Sequence, residues 1–345
     1  MRSQRNVYIC VSFFFYHVMR ALIESFTSQL VDSLNTGKVL GDIKDDKAIN
    51  SLIICGMGGS GIGGRIVLEW LEHTLNIPCV AHSSYGLPNF ADANTLVLVS
   101  SYSGNTEETL SAMEVALAKE CIIGCITSGG KVRDWAKKYS VPYILVNGGH
   151  PPRSQFGQSV VQICRMLESF ELIGPSIYSD LHAAVKLLND SAYYIQSQAK
   201  RVAEQINKTT PLIYSGSGYE GVAIRWRQQI GENAKTLCFH HQFPEMNHND
   251  LVGWEGGSDS FSVVIFRNED DAQRVKIRMD ICKGIFEEKG ATVVEVESKG
   301  LTKLERSLYL VNLGDWVSLH LAEMNKTNPV DIKNIDFLKN KLANI

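Results

Sequence analysis

Hydroxyl-bearing residues are concentrated in the stretch LVLVSSYSGNTEETLSAM, residues 96–113, between an apolar run and a helical pattern. Ser101, Ser103 and Thr106 follow a predicted buried strand and precede a predicted helix. Hydroxyls donate hydrogen bonds to a phosphate without adding charge, and a helix N-terminus attracts anions through its free N–H groups and its dipole. Helix capping by Asn105 or Thr106 would account for one of these residues and leave the two serines unexplained. The stretch therefore predicts a site that holds one phosphate group.

A glycine-rich turn, CGMGGSGIGG at 55–64, follows an earlier predicted strand and precedes another predicted helix. Its G-x-G-x-x-G spacing fits the dinucleotide fingerprint, but that fingerprint also requires an Asp or Glu about 20 residues later, at the end of the next strand. Residues 82–84 stand there and read His-Ser-Ser. The Gly-Lys-Ser/Thr of an NTPase phosphate loop is missing too. The turn is therefore interpreted as an anion site built on close backbone approach and Ser60. Tight packing of the strand on the helix is the alternative.

Strands and helices alternate along both halves of the chain. The predicted strands are SLIICG, PCVAH, TLVLVSS, CIIGCIT and PYILVN in the first half, and PLIYSG, FSVVIF and ATVVEVES in the second. A strand, a glycine-rich turn and a helix at 53–72 recur at 212–235. The pattern predicts an α/β protein with two doubly wound parallel-sheet (flavodoxin-like) halves and flanking helices. Ligands of such sheets bind beyond the carboxyl ends of the strands, where the hydroxyl stretch and both glycine turns stand.

The length of 345 residues indicates about two domains. The first residues include an apolar segment at 7–19, which is shorter than the roughly 20 residues needed to span a bilayer and lacks a signal-peptide cleavage site. A helix with ordinary amphipathic spacing is predicted over 19–36. The expected division is an upstream or non-native extension at 1–18, an N-terminal helix and lead-in at 19–50, a first domain at 51–175, a connecting helix at 176–207, and a second domain with a C-terminal helix at 208–345.

The overall composition excludes several classes of protein. A net charge of −3 favours neither a nucleic-acid-binding protein nor a disordered acidic one. Eight cysteines without C-x-x-C spacing indicate reduced thiols in a cytoplasmic protein. His240 and His241 raise the alternative of a metal site, but neighbouring residues of a strand point to opposite faces. They are interpreted as ordinary histidines, and no metal, other cofactor or membrane partner is expected.

The two loops together resemble the sugar isomerase (SIS) fold. From about residue 20 onward, the chain is similar to the bifunctional phosphoglucose/phosphomannose isomerases. Besides GMGGSGIGG and SYSGNTEET, the matching segments are PPR at 151–153, IGENAK at 230–235, PEMNHNDLVGW at 244–254 and NPVDIKNIDFLK at 328–339. The resemblance implies two SIS-type halves. It also implies an aldose–ketose isomerase that converts glucose 6-phosphate and mannose 6-phosphate to fructose 6-phosphate, through a cis-enediol(ate) and without metal.

The resemblance also implies a role for each matched residue. The phosphate group would be held by Ser60, Ser101, Ser103 and Thr106, with the backbone N–H groups of Gly58 and Gly59 nearby. Phosphate anchoring would set the other end of the sugar against Glu232, the base that moves a proton between C1 and C2. Arg153 would stabilise the enediolate.

Two further residues would open the sugar ring. The resemblance gives this role to His248, which would reach in from the partner subunit of a homodimer, and to Lys339 on the C-terminal helix. Gln228 lies four residues before Glu232 on the same helical face and is predicted to orient the substrate or the carboxylate.

Two alternatives to this isomerase remain open. A non-catalytic SIS regulator would bind a sugar phosphate but would not need Glu232 and His248 together. An isomerase of another sugar phosphate, such as arabinose 5-phosphate, would more often consist of a single SIS half. One departure from the family pattern follows the PPR motif, where Ser154, Gln155 and Phe156 replace small or apolar residues. This departure is expected to change the shape of the pocket.

Overall fold

The computed structural model describes residues 14–43, 48–342 and 344. The chain divides into two compact units. The N-terminal unit contains residues 25–190 and 300–307, and the C-terminal unit contains the described residues among 1–24, 191–299 and 308–345. Two long helices, α7 (Ser176–Ile206) and α11 (Lys303–Asn325), contribute residues to both units.

The N-terminal unit is built on a six-stranded sheet. Its elements are α2 (Phe26–Asn35), β1 (Val39–Leu40), β2 (Ser51–Cys55), α3 (Gly58–Leu71), β3 (Cys79–His82), β4 (Thr95–Ser101), α4 (Glu107–Ala118), β5 (Ile122–Thr127), α5 (Gly130–Lys138), β6 (Tyr143–Leu145), a 3-10 helix at Pro152–Gln155 and α6 (Phe156–Ser169). The strand order is β1-β6-β5-β4-β2-β3, and only the β1–β6 pair is antiparallel among the pairs described. After β3 the chain returns to the other side of β2, so the topological switch point lies between β2 and β4.

The central strands of this sheet are fully buried. Every residue of β2 and of β4 is buried, which explains why their sequences are continuous apolar runs rather than alternating ones. Val97, Val99, Met113, Cys125 and Val132 belong to the core that joins the sheet to α4 and α5. This core fixes the carboxyl ends of β2 and β4, where the two candidate loops begin.

The C-terminal unit has a smaller parallel sheet with strand order β10-β9-β7-β8. Its elements are a helix over 14–24 (α1), β7 (Thr210–Ser215), α8 (Glu220–Ala234), β8 (Phe239–Gln242), a 3-10 helix at Glu245–His248, α9 (Asp250–Gly253), a 3-10 helix at Trp254–Gly256, β9 (Phe261–Arg267), α10 (Gln273–Glu288), β10 (Thr292–Glu297) and α12 (Lys333–Leu342). An aromatic core holds Tyr214, Phe243, Trp254 and Phe286 together, with the ring centroids of its contacting pairs 4.6–5.9 Å apart. This core supports the segment that carries His248.

The predicted fold class is confirmed: both sheets belong to α/β units of the doubly wound type. The structure differs from the sequence prediction in several boundaries. The helix predicted over 19–36 is interrupted at Ser25, and residues 14–18 are helical as well, whereas residues 1–13 of the predicted extension lie outside the described residues. Helix α3 begins at Gly58, within the glycine run rather than after it. No helix in the described ranges is long and apolar enough to cross a membrane.

Candidate active site

The hydroxyl stretch forms a tight loop between β4 and α4. Ser101 ends β4 and is only 1% exposed. Its hydroxyl donates to Thr106 Oγ1 at 3.1 Å and accepts the Gly104 N–H at 3.2 Å. Because Thr106 accepts this bond, the proton of its own hydroxyl is left to donate to a ligand. Ser103 is exposed at the tip, where its hydroxyl accepts the Asn105 N–H at 3.2 Å.

The capping interpretation of this loop is wrong. Thr106 occupies the N-cap position of α4, but its side chain makes no capping hydrogen bond. The Asn105 side-chain oxygen Oδ1 accepts the backbone N–H of Lys131 instead, at 3.0 Å, and so ties the loop to the start of α5. The first N–H groups of α4 are therefore not capped by these two side chains, and N–H groups at a helix start attract anions.

Gly104 allows the loop to approach the chain at Gly129. Its φ of +68° lies in the left-handed region, and a Cβ at this position would lie 1.8 Å from the carbonyl oxygen of Gly129. The Gly104 carbonyl accepts the Val132 N–H at 3.0 Å. The loop thus packs backbone against backbone on the segment that begins α5.

We predict that Gly104→Ala destabilises the protein more than Gly86→Ala does. Gly86 has nearly the same φ, +65°, but nothing lies within 4 Å of its Cβ position. Both variants should suffer the left-handed strain of about 1–2 kcal/mol, whereas only Gly104→Ala adds a backbone clash, of about 1–3 kcal/mol. Urea denaturation of the two variants measures the difference. Equal free energies of unfolding would contradict the close approach.

The glycine-rich turn lies beside this loop at the switch point. Gly58 begins α3 with a φ of +50°. The Ser60 hydroxyl accepts the backbone N–H of Tyr102 at 3.1 Å, so one hydrogen bond joins the two loops. A Cβ at Gly61 would lie 2.4 Å from the Gly56 carbonyl oxygen. The glycines therefore serve a compact turn, and Ser60 aligns that turn with the hydroxyl loop.

Arg153 belongs to the same cluster. It lies in the 3-10 helix that follows Pro151 and is 6% exposed. A Cβ at Gly59 would lie 2.8 Å from the backbone nitrogen of Arg153, so the glycine lets the two segments touch. A cavity of about 20 Å³, roughly the size of one water molecule, lies between them and is lined in part by Ser60 and Gln155. Gln155, one of the departures from the family pattern, is 7% exposed and thus helps to shape this cavity.

The C-terminal unit holds the other predicted site residues. Glu232 lies in the last turn of α8, half-buried, with Gln228 one turn earlier and equally half-buried. Glu232 lines a cavity of about 370 Å³ with Gly231, Lys235 and the segment 331–335. The Lys235 ammonium donates to the carbonyl oxygen of Asp331 at 2.7 Å and also to that of Glu232. The end of α8 is therefore fastened to the segment that leads into α12.

His248 and Lys339 do not line the cavity of Glu232. His248 is exposed at the end of its 3-10 helix, and the neighbouring residues on both sides are held in place. Arg278 donates to the Asn247 side-chain oxygen Oδ1 at 3.2 Å, and the Tyr214 hydroxyl donates to the Asp250 carboxylate at 3.2 Å. Lys339 is exposed on α12, a helix with no buried side chain among its residues.

The two neighbouring histidines lie on β8, in register with Ile213 and Tyr214 of β7. His241 Nδ1 accepts the Gln242 N–H at 2.8 Å. Over the residues that the structure describes, no group of three or more His, Cys, Asp or Glu side chains is arranged to hold a metal ion.

The second glycine turn differs from the first. A Cβ at Gly216 would lie 2.2 Å from Asp271 Oδ1, so a carboxylate fills the space beside the turn. Asp271 also accepts the Asn268 N–H at 2.8 Å. Burial raises the pKa of this carboxyl above its ordinary value, against the opposing effect of its hydrogen bonds. A carboxylate in this position would repel a phosphate, so the second turn does not offer the kind of anion site that is predicted at the first.

Three contacts of the site were not predicted from the sequence. They are the Ser60–Tyr102 hydrogen bond, the approach of Gly59 to Arg153, and the contact of Lys235 with Asp331. Each joins residues that are 42 to 96 positions apart. In the sequence, only the glycine run pointed to such contacts. It predicted that backbone segments approach closely, but not which segments they are.

Comparisons with known proteins identify what the chain is similar to. Residues 195–342 match the family described as "Bacterial phospho-glucose isomerase C-terminal SIS domain". The chain is 35% identical over 334 residues to a bifunctional phosphoglucose/phosphomannose isomerase of Caldicellulosiruptor bescii, covering 94% of this chain and 98% of that protein. It is 36% identical over 302 residues to the protein of the same description from Aquifex aeolicus, covering 87% of this chain and 92% of that protein.

A solved structure agrees with the fold. The C-terminal domain of glucosamine-fructose-6-phosphate aminotransferase from Francisella tularensis superimposes with a TM-score of 0.72 at 15% identity, covering 91% of this chain and 98% of that one. At this identity the likeness concerns the fold alone.

Proposed function

Because the chain belongs to the family of bifunctional phosphoglucose/phosphomannose isomerases, we propose that it interconverts glucose 6-phosphate, and likewise mannose 6-phosphate, with fructose 6-phosphate. The observation that carries the proposal is the paired arrangement of the two loops at the switch point, joined by the Ser60 hydroxyl. Uncharged hydroxyls and a helix start suit a phosphate ester that must be released after each turnover.

The phosphate is held by residues of the N-terminal unit. Ser60, Ser101, Ser103 and Thr106 supply hydroxyls, and Gly58 and Gly59 supply backbone N–H groups. The Ser101–Thr106 hydrogen bond supports this assignment, since it directs the remaining Thr106 proton to an acceptor outside the loop. Because the 6-phosphate does not change during proton transfer between C1 and C2, these donors hold the substrate and the transition state about equally and act chiefly on substrate affinity.

The chemistry is a proton transfer between neighbouring carbons. Glu232 takes the proton from C2 of the open-chain aldose and returns it to C1, while the proton of the C2 hydroxyl passes to O1 and the carbonyl moves from C1 to C2. The enediolate formed between these two steps carries negative charge on oxygen, which the Arg153 guanidinium stabilises. His248 and Lys339 open the sugar ring, and Gln228 orients the substrate or the carboxylate. No step requires a metal ion.

The active form is a homodimer in this proposal, with His248 serving the site of the partner subunit. The exposure of His248, on a segment whose neighbouring residues are held by Arg278 and Tyr214, supports a role toward another chain. We place the protein in the cytoplasm, because its eight cysteines lack C-x-x-C spacing, as is typical of reduced thiols.

The experiment that tests this function is a coupled assay with each hexose phosphate. We expect turnover of glucose 6-phosphate and of mannose 6-phosphate to fructose 6-phosphate without added metal. EDTA should leave both rates unchanged, because general acid–base catalysis by side chains needs no metal ion. Absence of turnover with both substrates would overturn the proposed function, and loss of activity in EDTA would overturn metal independence alone.

A further inference from the structure

Helix α8, which carries Glu232, is fixed to α11 by a row of buried polar side chains. Arg225, Gln229 and Asn233 follow one another at intervals of four residues and are 2%, 3% and 0% exposed. Residues four apart lie on one side of a helix, so these three form a stripe along α8. The α11 side of the contact is formed by Asp315 and Ser318.

Each member of the stripe has a partner on α11. Arg225 donates to Asp315 Oδ2 at 2.6 Å, and Gln229 donates to the other carboxylate oxygen at 3.0 Å. Asn233 donates to the Ser318 hydroxyl at 2.9 Å. That hydroxyl in turn donates to the Asp315 backbone carbonyl at 2.7 Å, so it is available to Asn233 only as an acceptor. The polar row therefore has defined donors and acceptors and fits in one register.

Two further contacts fix the same register. The Trp226 indole N–H donates to the Leu310 carbonyl at 2.8 Å, and a Cβ at Gly314 would lie 2.2 Å from that indole nitrogen. The indole thus packs against α11 at Gly314, which has no side chain. At the end of α8, the Thr327 hydroxyl donates to the carbonyl of Asn233 at 3.2 Å.

Burying these polar groups has no clear advantage for stability. A buried ion pair such as Arg225–Asp315 is often no more stabilising than apolar residues of similar size, because desolvation of the charges offsets their attraction. What the row does provide is a single rotation and axial position for α8. Glu232 follows Arg225 by seven residues, close to two turns, and so lies near the same angular position on the helix.

We propose that Asp315, with Arg225 and Gln229, is a positioning residue that sets the direction of the Glu232 carboxylate for proton transfer. This rests on the proposed role of Glu232 as the base. A rotation of α8 by about 10° would displace a side-chain tip at a radius of roughly 6 Å by about 1 Å. A displacement of that size in a reacting group reduces the rate by up to about 100-fold.

Two substitutions test the proposal. Asp315→Asn removes the charge with little change of shape, and the double variant Arg225→Met with Asp315→Leu replaces the ion pair by apolar side chains. Both should lower kcat by about 10- to 100-fold and change KM by less than about 2-fold. The double variant is expected to keep its melting temperature even if Asp315→Asn, which leaves Arg225 without its carboxylate, does not. Glu295→Gln is the matched control, since it breaks ion pairs with Arg267 and Lys283 in the same unit, and none of these three residues belongs to α8 or α11.

A double-mutant cycle separates positioning from general damage. In a Glu232→Gln background, Asp315→Asn should reduce the remaining activity no further, because it acts through the missing carboxylate. A folded double variant with unchanged kcat, or one whose defect lies wholly in KM, would overturn the positioning role. A further loss in the Glu232→Gln background would also overturn it. Full activity of Glu232→Gln alone would instead refute Glu232 as the base, so the two failures are distinguishable.

Discussion

Glu232→Gln is expected to lower kcat with both hexose 6-phosphates by about 10²–10⁴-fold, the usual contribution of a general base. The amide keeps the size and position of the side chain but cannot accept the proton from C2. Binding of a sugar phosphate should persist, because the hydroxyls proposed to hold the phosphate are in the N-terminal unit. Steady-state kinetics measure the first effect, and calorimetric titration with fructose 6-phosphate measures the second.

The control for this variant lies on the same helix. Glu220→Gln changes a carboxylate in the first turn of α8 and should leave kcat unchanged. Mixing Glu232→Gln protein with His248→Ala protein should restore part of the activity if subunits exchange, since one heterodimer site then has both side chains. Wild-type kcat in Glu232→Gln would remove this residue as the base. A lack of recovery after verified exchange would place both side chains of a site on one chain.

Arg153→Met is expected to reduce kcat by about 10²–10³-fold, with a similar fall in kcat/KM. The reason is that the guanidinium acts on charge that develops only in the enediolate, so its loss affects the transition state more than the bound sugar. The side chain is 6% exposed on a short helix next to Gly59, which favours a fixed orientation over a mobile one. Steady-state kinetics with glucose 6-phosphate measure this effect.

Two comparisons sharpen this expectation. Arg153→Lys should be impaired less than Arg153→Met, because it keeps the positive charge. It should still be less active than the wild type, because it loses the planar guanidinium. Arg133→Met is the matched control, since Arg133 lies on α5 and pairs at the surface with Asp134. If Arg153→Met raised KM and left kcat intact, Arg153 would be a binding residue and not a stabiliser of the enediolate.

Much of the fold followed from local sequence. β4 was predicted over the same seven residues that form it, because a strand in a parallel sheet is buried on both faces and reads as an unbroken apolar run. The helices were found from their spacing. The sequence did not predict the short strands β1 and β8 or the short helical turns at 245–256. Elements of two to four residues have too little periodicity to detect.

The site was predictable only in its local parts. The serines and Thr106 stood out because they are close in sequence and follow a strand. The pairing of Arg225 with Asp315 spans 90 residues, and that of Ser60 with Tyr102 spans 42. Such contacts depend on how helices and loops pack, and no local pattern encodes them. The resemblance to a family supplied the roles of Glu232 and His248, which spacing alone could not assign.

Asp271 has a consequence for stoichiometry. A chain that repeats a strand, a glycine turn and a helix would by symmetry have two phosphate-binding sites. The Asp271 carboxylate fills the space beside Gly216, where a second phosphate would otherwise bind. In the proposed function, each chain therefore binds one hexose phosphate. The two halves of the repeat then have different proposed roles, with phosphate binding in the first and the base, on α8, in the second.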